Sequence, residues 1–384
     1  PMDKPTVQDI FHRFYPAYLD QYSPSPVQAN VAHNIMNCKT GAYGANVCVC
    51  EDCGFVQIHY NSCRNRCCPM CQAVPKEMWM DARREDVLDA PYFHLVFTVP
   101  DILNPVIYSN QRLLYDALYH AASSTISELT ADPKHLGAKV GYICILHTWG
   151  SEMNFHPHIH TILLGGGLAS NNQWKDNGEN FFLPIRVISK MFRGKYLEEL
   201  KRLWEEDKLV FHGTAEKFRN HYTFKELLDS CYGMDWIPHC KKTFNGAQTV
   251  IKYLGKYTHR IAVSNHRIVR MDDDTVTFLV KDYRNEGQWK ELTISGVEFV
   301  RRFLMHVPPR RFVRIRHYGL LCSRTKSQKL TLCRNLLGCK KYLSKLRDME
   351  MPEILEHLYG IKVCVCKACG GHLGKPQMRM PLRC

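Results

Sequence analysis

Two histidines flank a single isoleucine in His156-Pro157-His158-Ile159-His160, and about ninety residues later two tyrosines stand four apart in Tyr253-Leu254-Gly255-Lys256-Tyr257. Side chains on a strand alternate with period 2, so His158 and His160 share a face. Neutral imidazoles placed this way could clamp a divalent metal. On a helix, i and i+4 share a face, which pairs Tyr253 with Tyr257. A phenol ionises near pH 10, as a rough reference, and becomes a nucleophile when cations stabilise the phenolate. Lys252, Lys256, His259 and Arg260 adjoin the pair in sequence. Together these groups could polarise a phosphodiester, cut it and keep one end as a phosphotyrosine. The bond energy would be conserved, so a strand could be rejoined elsewhere, and two tyrosines would allow two linkages in succession. The metal needs a third ligand. His147 is the best candidate, because a hairpin could bring it beside the clamp, and His94 is another. His156 would point the same way in an extended chain, but Pro157 weakens the strand there.

Each motif alone has a plainer explanation. A histidine run can decorate a surface strand, and two aromatics at helical spacing usually pack in a core. Zinc hydrolases also use His-x-His, but the Asp that usually precedes a further histidine is absent. The two motifs gain weight together, and from the charge around them.

The formal charge is +14. No acidic residue occurs between Trp236 and Met271, or between Phe299 and Arg347, where Lys and Arg are frequent. A solvated basic face normally carries acids too, so these runs point to nucleic acid rather than to a membrane surface. The start, Pro1-Met2-Asp3-Lys4, leads into polar residues, so no signal peptide is expected, and no apolar run has transmembrane length. The chain is expected to be intracellular. There, 18 cysteines argue for metal rather than disulfides.

The cysteines cluster. Cys50-x-x-Cys53 and Cys68-x-x-Cys71 have the spacing of one four-cysteine structural zinc site. His33, Cys38, Cys63 and Cys67 could hold a second zinc. Cys366-x-x-Cys369-Gly370-Gly371, near Cys364, His372 and Cys384, is half of a further knuckle whose partners the spacing leaves open.

The elements that must position these groups are legible in outline. A helix leaves the cysteine cluster over 76–90. Strands are expected at 92–100, 142–149 and 157–164, the last ended by Gly165-Gly166-Gly167, with a short polar link favouring an antiparallel hairpin between the second and third. Helical periodicity covers 106–130, 184–206, 248–257 and 296–305, and strands are expected at 261–270, 275–281 and 289–294. Mixed helices and strands without regular βαβ alternation favour an α+β fold around an antiparallel sheet.

The residues now carry a resemblance. The chain resembles the HUH transposases of the insertion sequence 91 family, the two-tyrosine rolling-circle branch. Asn61-Ser62-Cys63-Arg64-Asn65-Arg66-Cys67-Cys68-Pro69-Met70-Cys71-Gln72 resembles the family's zinc module, and Phe97-Thr98-Val99-Pro100 its first strand motif. Leu146-His147-Thr148-Trp149-Gly150 and His158-Ile159-His160 resemble its metal region. Tyr253 to Arg260 resembles its nucleophile helix, and Arg301-Arg302-Phe303-Leu304 and Arg314-Ile315-Arg316-His317-Tyr318-Gly319 its tail. The family commonly has His where Cys67 stands, and His-Val-Leu-Pro where this chain has His306-Val307-Pro308-Pro309.

The resemblance implies an HUH nuclease domain with a central antiparallel sheet and a magnesium or manganese ion at His158 and His160. It implies single-stranded DNA as substrate and transfer through a 5′-phosphotyrosine. The expected organisation is an N-terminal zinc-binding domain over 1–85, a nuclease domain over 86–298, and a basic DNA-binding region over 299–384. The expected DNA contacts are Lys252, Lys256, His259, Arg260, Arg301, Arg302, Arg314 and Arg316. Expected partners are the ends of a mobile element, as single strands or hairpins, and a target DNA. The oligomeric state and the order of the tyrosines stay open. The rival readings are a zinc-ribbon nucleic-acid-binding protein without catalysis, and an HUH replication initiator or relaxase.

Overall fold

The computed structural model describes residues 4–177, 183–236, 238–244, 249–250, 255, 262–282, 286–375 and 377–379. Two capped helices begin it, α1 (Val7–Gln21) and α2 (Pro26–Met36). Thr6 and Ser25 each accept from the N3 backbone and receive the N3 side chain in return, which satisfies two otherwise orphaned donors at each start. The short strands β1 (Ala45–Val49) and β2 (Val56–Tyr60) follow, then α3 (Ala73–Arg84).

The central sheet comes next. Its strands are β3 (Tyr92–Thr98), β4 (Lys139–Trp149), β5 (Phe155–Leu168), β6 (Trp174–Asp176), β7 (His239–Phe244) and, much later, β11 (Ile315–Gly319). The order is β11-β4-β5-β3-β7, with β6 paired to β5, and every pairing is antiparallel. Between these strands run α4 (Asn104–Ser109), α5 (Gln111–Ala131), α6 (Ile185–Glu205) and α7 (His221–Gly233). The expected helix over 106–130 is thus two helices, broken at Asn110, whose side chain donates to Val210 O and accepts from Val210 N–H.

Alternation divides the sheet. Phe93, Leu95, Phe97, Cys144, Leu146, Ile159 and Leu163 face α4–α7 in the largest core. Burying one such phenyl ring contributes about 1.5–3 kcal/mol. Tyr92, Ile143, Ile145, Ile162 and Leu164 face the other way, packing with Leu88 and with α9 (Lys326–Leu337). His94, His158 and His160 lie on this second face by the same period. The three glycines at 165–167 do not end β5, which continues to Leu168. They permit close approach: a Cβ on Gly166 would lie 2.4 Å from the Trp174 ring, and one on Gly167 2.4 Å from Lys139 O.

A second layer joins distant segments. Strands β8 (Ile268–Met271), β9 (Thr275–Asp282) and β10 (Gln288–Ser295) form an antiparallel sheet, followed by α8 (Gly296–Met305). Phe278, Phe299 and Phe303 pack with Phe11 and Phe14 of α1 in one buried cluster that also holds Cys38 and Cys68. Gly296 is required where α8 meets α1, since a Cβ there would sit 2.3 Å from Phe14. The strand expected over 261–270 begins only at Ile268. Last come α10 (Met351–Tyr359) and β12 (Gln377–Arg379), which pairs back onto β1. The stretches 1–85, 86–298 and 299–384 therefore share cores and sheets: α1 with α8, β4 with β11, β1 with β12. No helix among the described residues is long and apolar enough to cross a membrane.

Candidate active site and metal centres

The β4–β5 hairpin sets His147 directly opposite His158, and β3 sets Thr98 opposite His158 and Val96 opposite His160. The ligand atoms of His147, His158 and His160 lie within 4.8 Å of one another, and all three side chains are buried. The clamp and the expected third ligand are thus brought together, by the hairpin register that the short link implied. His156 is not part of the cluster; its Nδ1 lies 3.2 Å from Asp101 Oδ1, at the surface.

The imidazoles are oriented by hydrogen bonds. His158 Nδ1 is 2.7 Å from His156 O. A carbonyl only accepts, so Nδ1 carries the proton and the neutral ring keeps a bare Nε2. That nitrogen is 3.0 Å from His160 Nε2. His160 Nδ1 in turn meets His94 Nε2 at 2.9 Å. His94 therefore orients a clamp residue from the neighbouring strand and is not one of the three. Burial, with His156 adding to it, pushes the His158 pKa down to about 4. Burial and the neighbouring His147, His158 and His94 push His160 well below the usual imidazole value. Neutral, lone-pair-bearing imidazoles are what a divalent cation needs. Among the described residues the set is three nitrogens, so a magnesium or manganese ion held there would take its remaining ligands from oxygen, such as water or a phosphate.

One supporting residue is missed by the sequence reading. His306 is buried, with Nδ1 3.1 Å from Thr148 Oγ1 and Nε2 2.9 Å from Met153 O. It pins the turn that joins His147 to His158. Its only sequence signal is its place in the tail motif.

Tyr253 and Tyr257, with Lys252, Lys256, His259 and Arg260, lie outside the described residues. Their neighbours do not. Val250 is buried and joins Ile145 and Ile162 in the cluster on the histidine-bearing face. Gly255 is buried and helical, and a Cβ on it would overlap Met80 Sδ at 1.9 Å and approach Lys76 at 3.3 Å. Gly255 is therefore where this segment meets α3.

Of the five arginines expected on DNA, the four that are described, Arg301, Arg302, Arg314 and Arg316, are engaged within the protein. Glu298 accepts from Arg301 at 2.6 and 2.8 Å and from Arg302 at 2.7 Å, and is held at about 2 by those hydrogen bonds in spite of its burial. Helical spacing from Glu298 explains both pairs. Arg314 lies over the Trp149 ring, and Arg316 pairs with Asp116 and stacks on Tyr119. Arg310 and Arg311, not singled out from sequence, stand exposed on the adjacent loop.

The cysteines form two clusters, divided otherwise than the spacing implies. Cys38, Cys63, Cys68 and Cys71 lie together, and Cys50 and Cys53 lie with Cys366 and Cys369, each set within 4.8 Å. Cys50 and Cys53 do not join Cys68 and Cys71, because β1 and β2 carry that knuckle away on a separate small sheet. His33 and Cys67 join neither set: His33 Nδ1 meets Asn37, and Cys67 is buried beside Arg66 and Arg314. In the first set, the neighbouring Cys63 and Cys68 pull the Cys71 pKa far down while Cys63 and Cys71 push Cys68 far up. Four sulfurs competing for protons at this range are the donor set that zinc takes.

Comparison with known proteins agrees with these features. Residues 10–99 match a family described as "Transposase zinc-binding domain", and residues 141–329 one described as "Putative transposase". The chain is 40% identical over 369 residues to "Putative transposase y4qJ" of Sinorhizobium fredii, covering 95% of this chain and 93% of that one. It is 30% identical over 309 residues to "Transposase for insertion sequence element IS801" of Pseudomonas savastanoi pv. phaseolicola, covering 79% and 72%. The chain belongs to the insertion sequence 91 family of transposases. Among solved structures, a metal-bound conjugative relaxase TrwC in complex with oriT DNA aligns with 43% of this transposase and 70% of its own chain, at 13% identity and a TM-score of 0.25. That likeness is too slight to bear on the site. The zinc-binding match covers every thiol of the Cys38 cluster, and the "Putative transposase" match covers all three clamp histidines.

Proposed function

We propose that this transposase nicks single-stranded DNA at the ends of a mobile element and transfers it to a target through 5′-phosphotyrosine intermediates on Tyr253 and Tyr257. The observation that carries the reading is the buried convergence of His147, His158 and His160 on the sheet face where Val250 also packs, three residues before Tyr253.

His147, His158 and His160 would hold a manganese or magnesium ion, which when bound polarises a phosphate oxygen and orients the scissile group. His158 is kept in the right tautomer by the His156 carbonyl, and His160 is turned toward the site by His94. The phenolate oxygen of one tyrosine attacks the phosphorus. A P–O(Tyr) bond forms, the P–O3′ bond breaks, and the leaving strand departs as a free 3′-hydroxyl. Transfer reverses the exchange: a 3′-hydroxyl attacks the phosphotyrosine and the phenolate leaves. No high-energy cofactor is needed because one phosphodiester is exchanged for another. Arg310 and Arg311, with the basic run from Lys241 to Arg270, would hold the DNA backbone.

The test is covalent trapping. Labelled single-stranded DNA carrying the element's terminal sequence is mixed with protein and manganese and run on a denaturing gel. The label should shift with the protein, be lost with EDTA, and be lost in the Tyr253→Phe/Tyr257→Phe variant. Well-folded, DNA-binding protein that forms no adduct would sink the proposal in favour of a non-catalytic binder.

A further inference from the structure

The zinc-binding match ends at residue 99, so it includes the Cys50 knuckle but neither thiol facing that knuckle. Cys50 Sγ lies 3.5 Å from Cys369 Sγ, a contact between residues 319 apart in sequence. Cys53 Sγ lies 3.8 Å from Cys366 Sγ, across 313 residues. The two knuckles repeat one backbone design. Each reads Cys-x-x-Cys-Gly, and the first cysteine's carbonyl accepts from the glycine N–H, at 3.0 Å in Gly54 and 2.9 Å in Gly370. Both glycines are left-handed, with φ of 71° and 77°, where a side chain would be strained. This turn directs both sulfurs of a knuckle to the same side.

Further donors point at the sulfurs. Ala368 N–H lies 3.4 Å from Cys366 Sγ, and Gly371 N–H 3.4 Å from Cys369 Sγ. Hydrogen bonds to sulfur favour the thiolate over the thiol. The surrounding backbone is closed around the four thiols. Cys50 bridges Leu373, Glu51 N–H donates to His372 O at 3.2 Å, Gly374 N–H donates to Val49 O at 2.9 Å, and β12 completes the β12-β1-β2 sheet. Among the described residues, the apolar core beneath is only Cys48, Cys50, Cys366 and Leu373. So small a core cannot hold two remote segments by burial alone, and units of this size are normally stapled by a metal or by disulfides.

We propose that Cys50, Cys53, Cys366 and Cys369 bind a structural zinc ion, making a second tetrathiolate site that locks the 360s onto the N-terminal zinc-binding domain. Four sulfurs and no oxygen ligand select zinc over the harder cations. The lock also bears on the active site. Residues upstream of it, Tyr342, Ser344 and Leu346, hydrogen-bond Asp81 of α3 at 2.6, 2.6 and 2.9 Å, and α3 is the helix that receives Gly255.

The experiment measures zinc per chain by elemental analysis of the full chain in a His158→Ala/His160→Ala background, so that the imidazole cluster adds none. Two zinc ions per chain are expected. Cys50→Ser/Cys53→Ser and Cys366→Ser/Cys369→Ser should each leave one, and exchanging all four cysteines should still leave one, because both pairs serve a single ion. Should serine disturb folding, Cys369→His supplies a nitrogen ligand and should restore two. A cobalt-substituted spectrum should then show one all-sulfur site and one site of mixed sulfur and nitrogen ligation. A parent with one zinc that survives Cys366→Ser/Cys369→Ser would overturn the proposal. So would peptide mapping that finds these four cysteines joined as disulfides.

Discussion

The histidine cluster and the thiol clusters solve the same geometric problem in opposite ways. His147, His158 and His160 come from one hairpin, separated by a short turn and fixed by strand register. The Cys50 cluster draws its ligands from segments more than three hundred residues apart, on a sheet too small to stand alone. The first can be assembled by local pairing. The second exists only once the whole fold has closed. The histidine cluster should therefore fail in chemistry when altered, and the thiol clusters, which tie separate elements together, in architecture.

The largest expected effect is at the clamp. His158→Ala should reduce DNA–protein adduct formation by about a thousandfold, the scale of losing a catalytic metal site, with little change in melting temperature. Adduct yield and thermal melting measured together check this, and a large fall in melting temperature would erase the contrast. Cys68→Ser should do the reverse. It removes a buried thiol shared by the zinc cluster and the α1–α8 core. Structural zinc contributes on the order of 10 kcal/mol to such modules, so proteolysis should open the α1–α8 layer and the adduct should be lost with it. His94→Ala, which only unhooks an orienting partner from His160, should cost roughly ten- to a hundredfold in manganese affinity or activity. Its signature is recovery at high manganese, which His158→Ala should not show.

Two smaller effects sharpen the comparison. Gly255→Ala adds a methyl group against Met80 and should cost about 1–3 kcal/mol through overpacking, seen as slower adduct formation on an intact fold. Met80→Ala in the same chain should restore part of the loss. The smallest effect concerns pH. Burial raises the Asp81 pKa, but hydrogen bonds from Ser344, Tyr342 and Leu346 outweigh it and leave the folded value depressed. A depressed carboxyl contributes stability that is present above the unfolded value, near 3.9 as a rough reference, and is lost as pH falls through the folded one. Hydrogen exchange at Leu346 should therefore stay protected at neutral pH and accelerate only in strong acid. Asp81→Asn should remove that dependence.

What was legible followed from local physics. Period-2 alternation placed His158 with His160, and a short polar link implied the hairpin that brought His147. The boundaries of α6, α8, β9 and β10 fell close to the expected ones because their hydrophobic patterns are local. The cysteines were misdivided because a Cys-x-x-Cys pair names its own two ligands but carries no record of which other pair it meets. Proximity favoured Cys68 and Cys71, while sheet pairing of β12 on β1 brought Cys366 and Cys369 instead. The intramolecular partners of the arginines were hidden for a related reason. Runs empty of acids concealed partners outside them, Glu298 and Asp116.

The separation of the two knuckles sets a clock on the ribosome. Translation at about 5–20 residues per second leaves Cys50 and Cys53 without their final partners for tens of seconds after they emerge. During that interval Cys63, Cys68 and Cys71 are already on the chain, and a zinc ion shared with them would be held by a wrong set. On the proposed second zinc site, maturation would then require exchange of ligands as the later segment arrives, and a chain terminated before it would lack the β12 strand of the small sheet. On that proposal, only a polypeptide extended through Cys369 would reach its finished form.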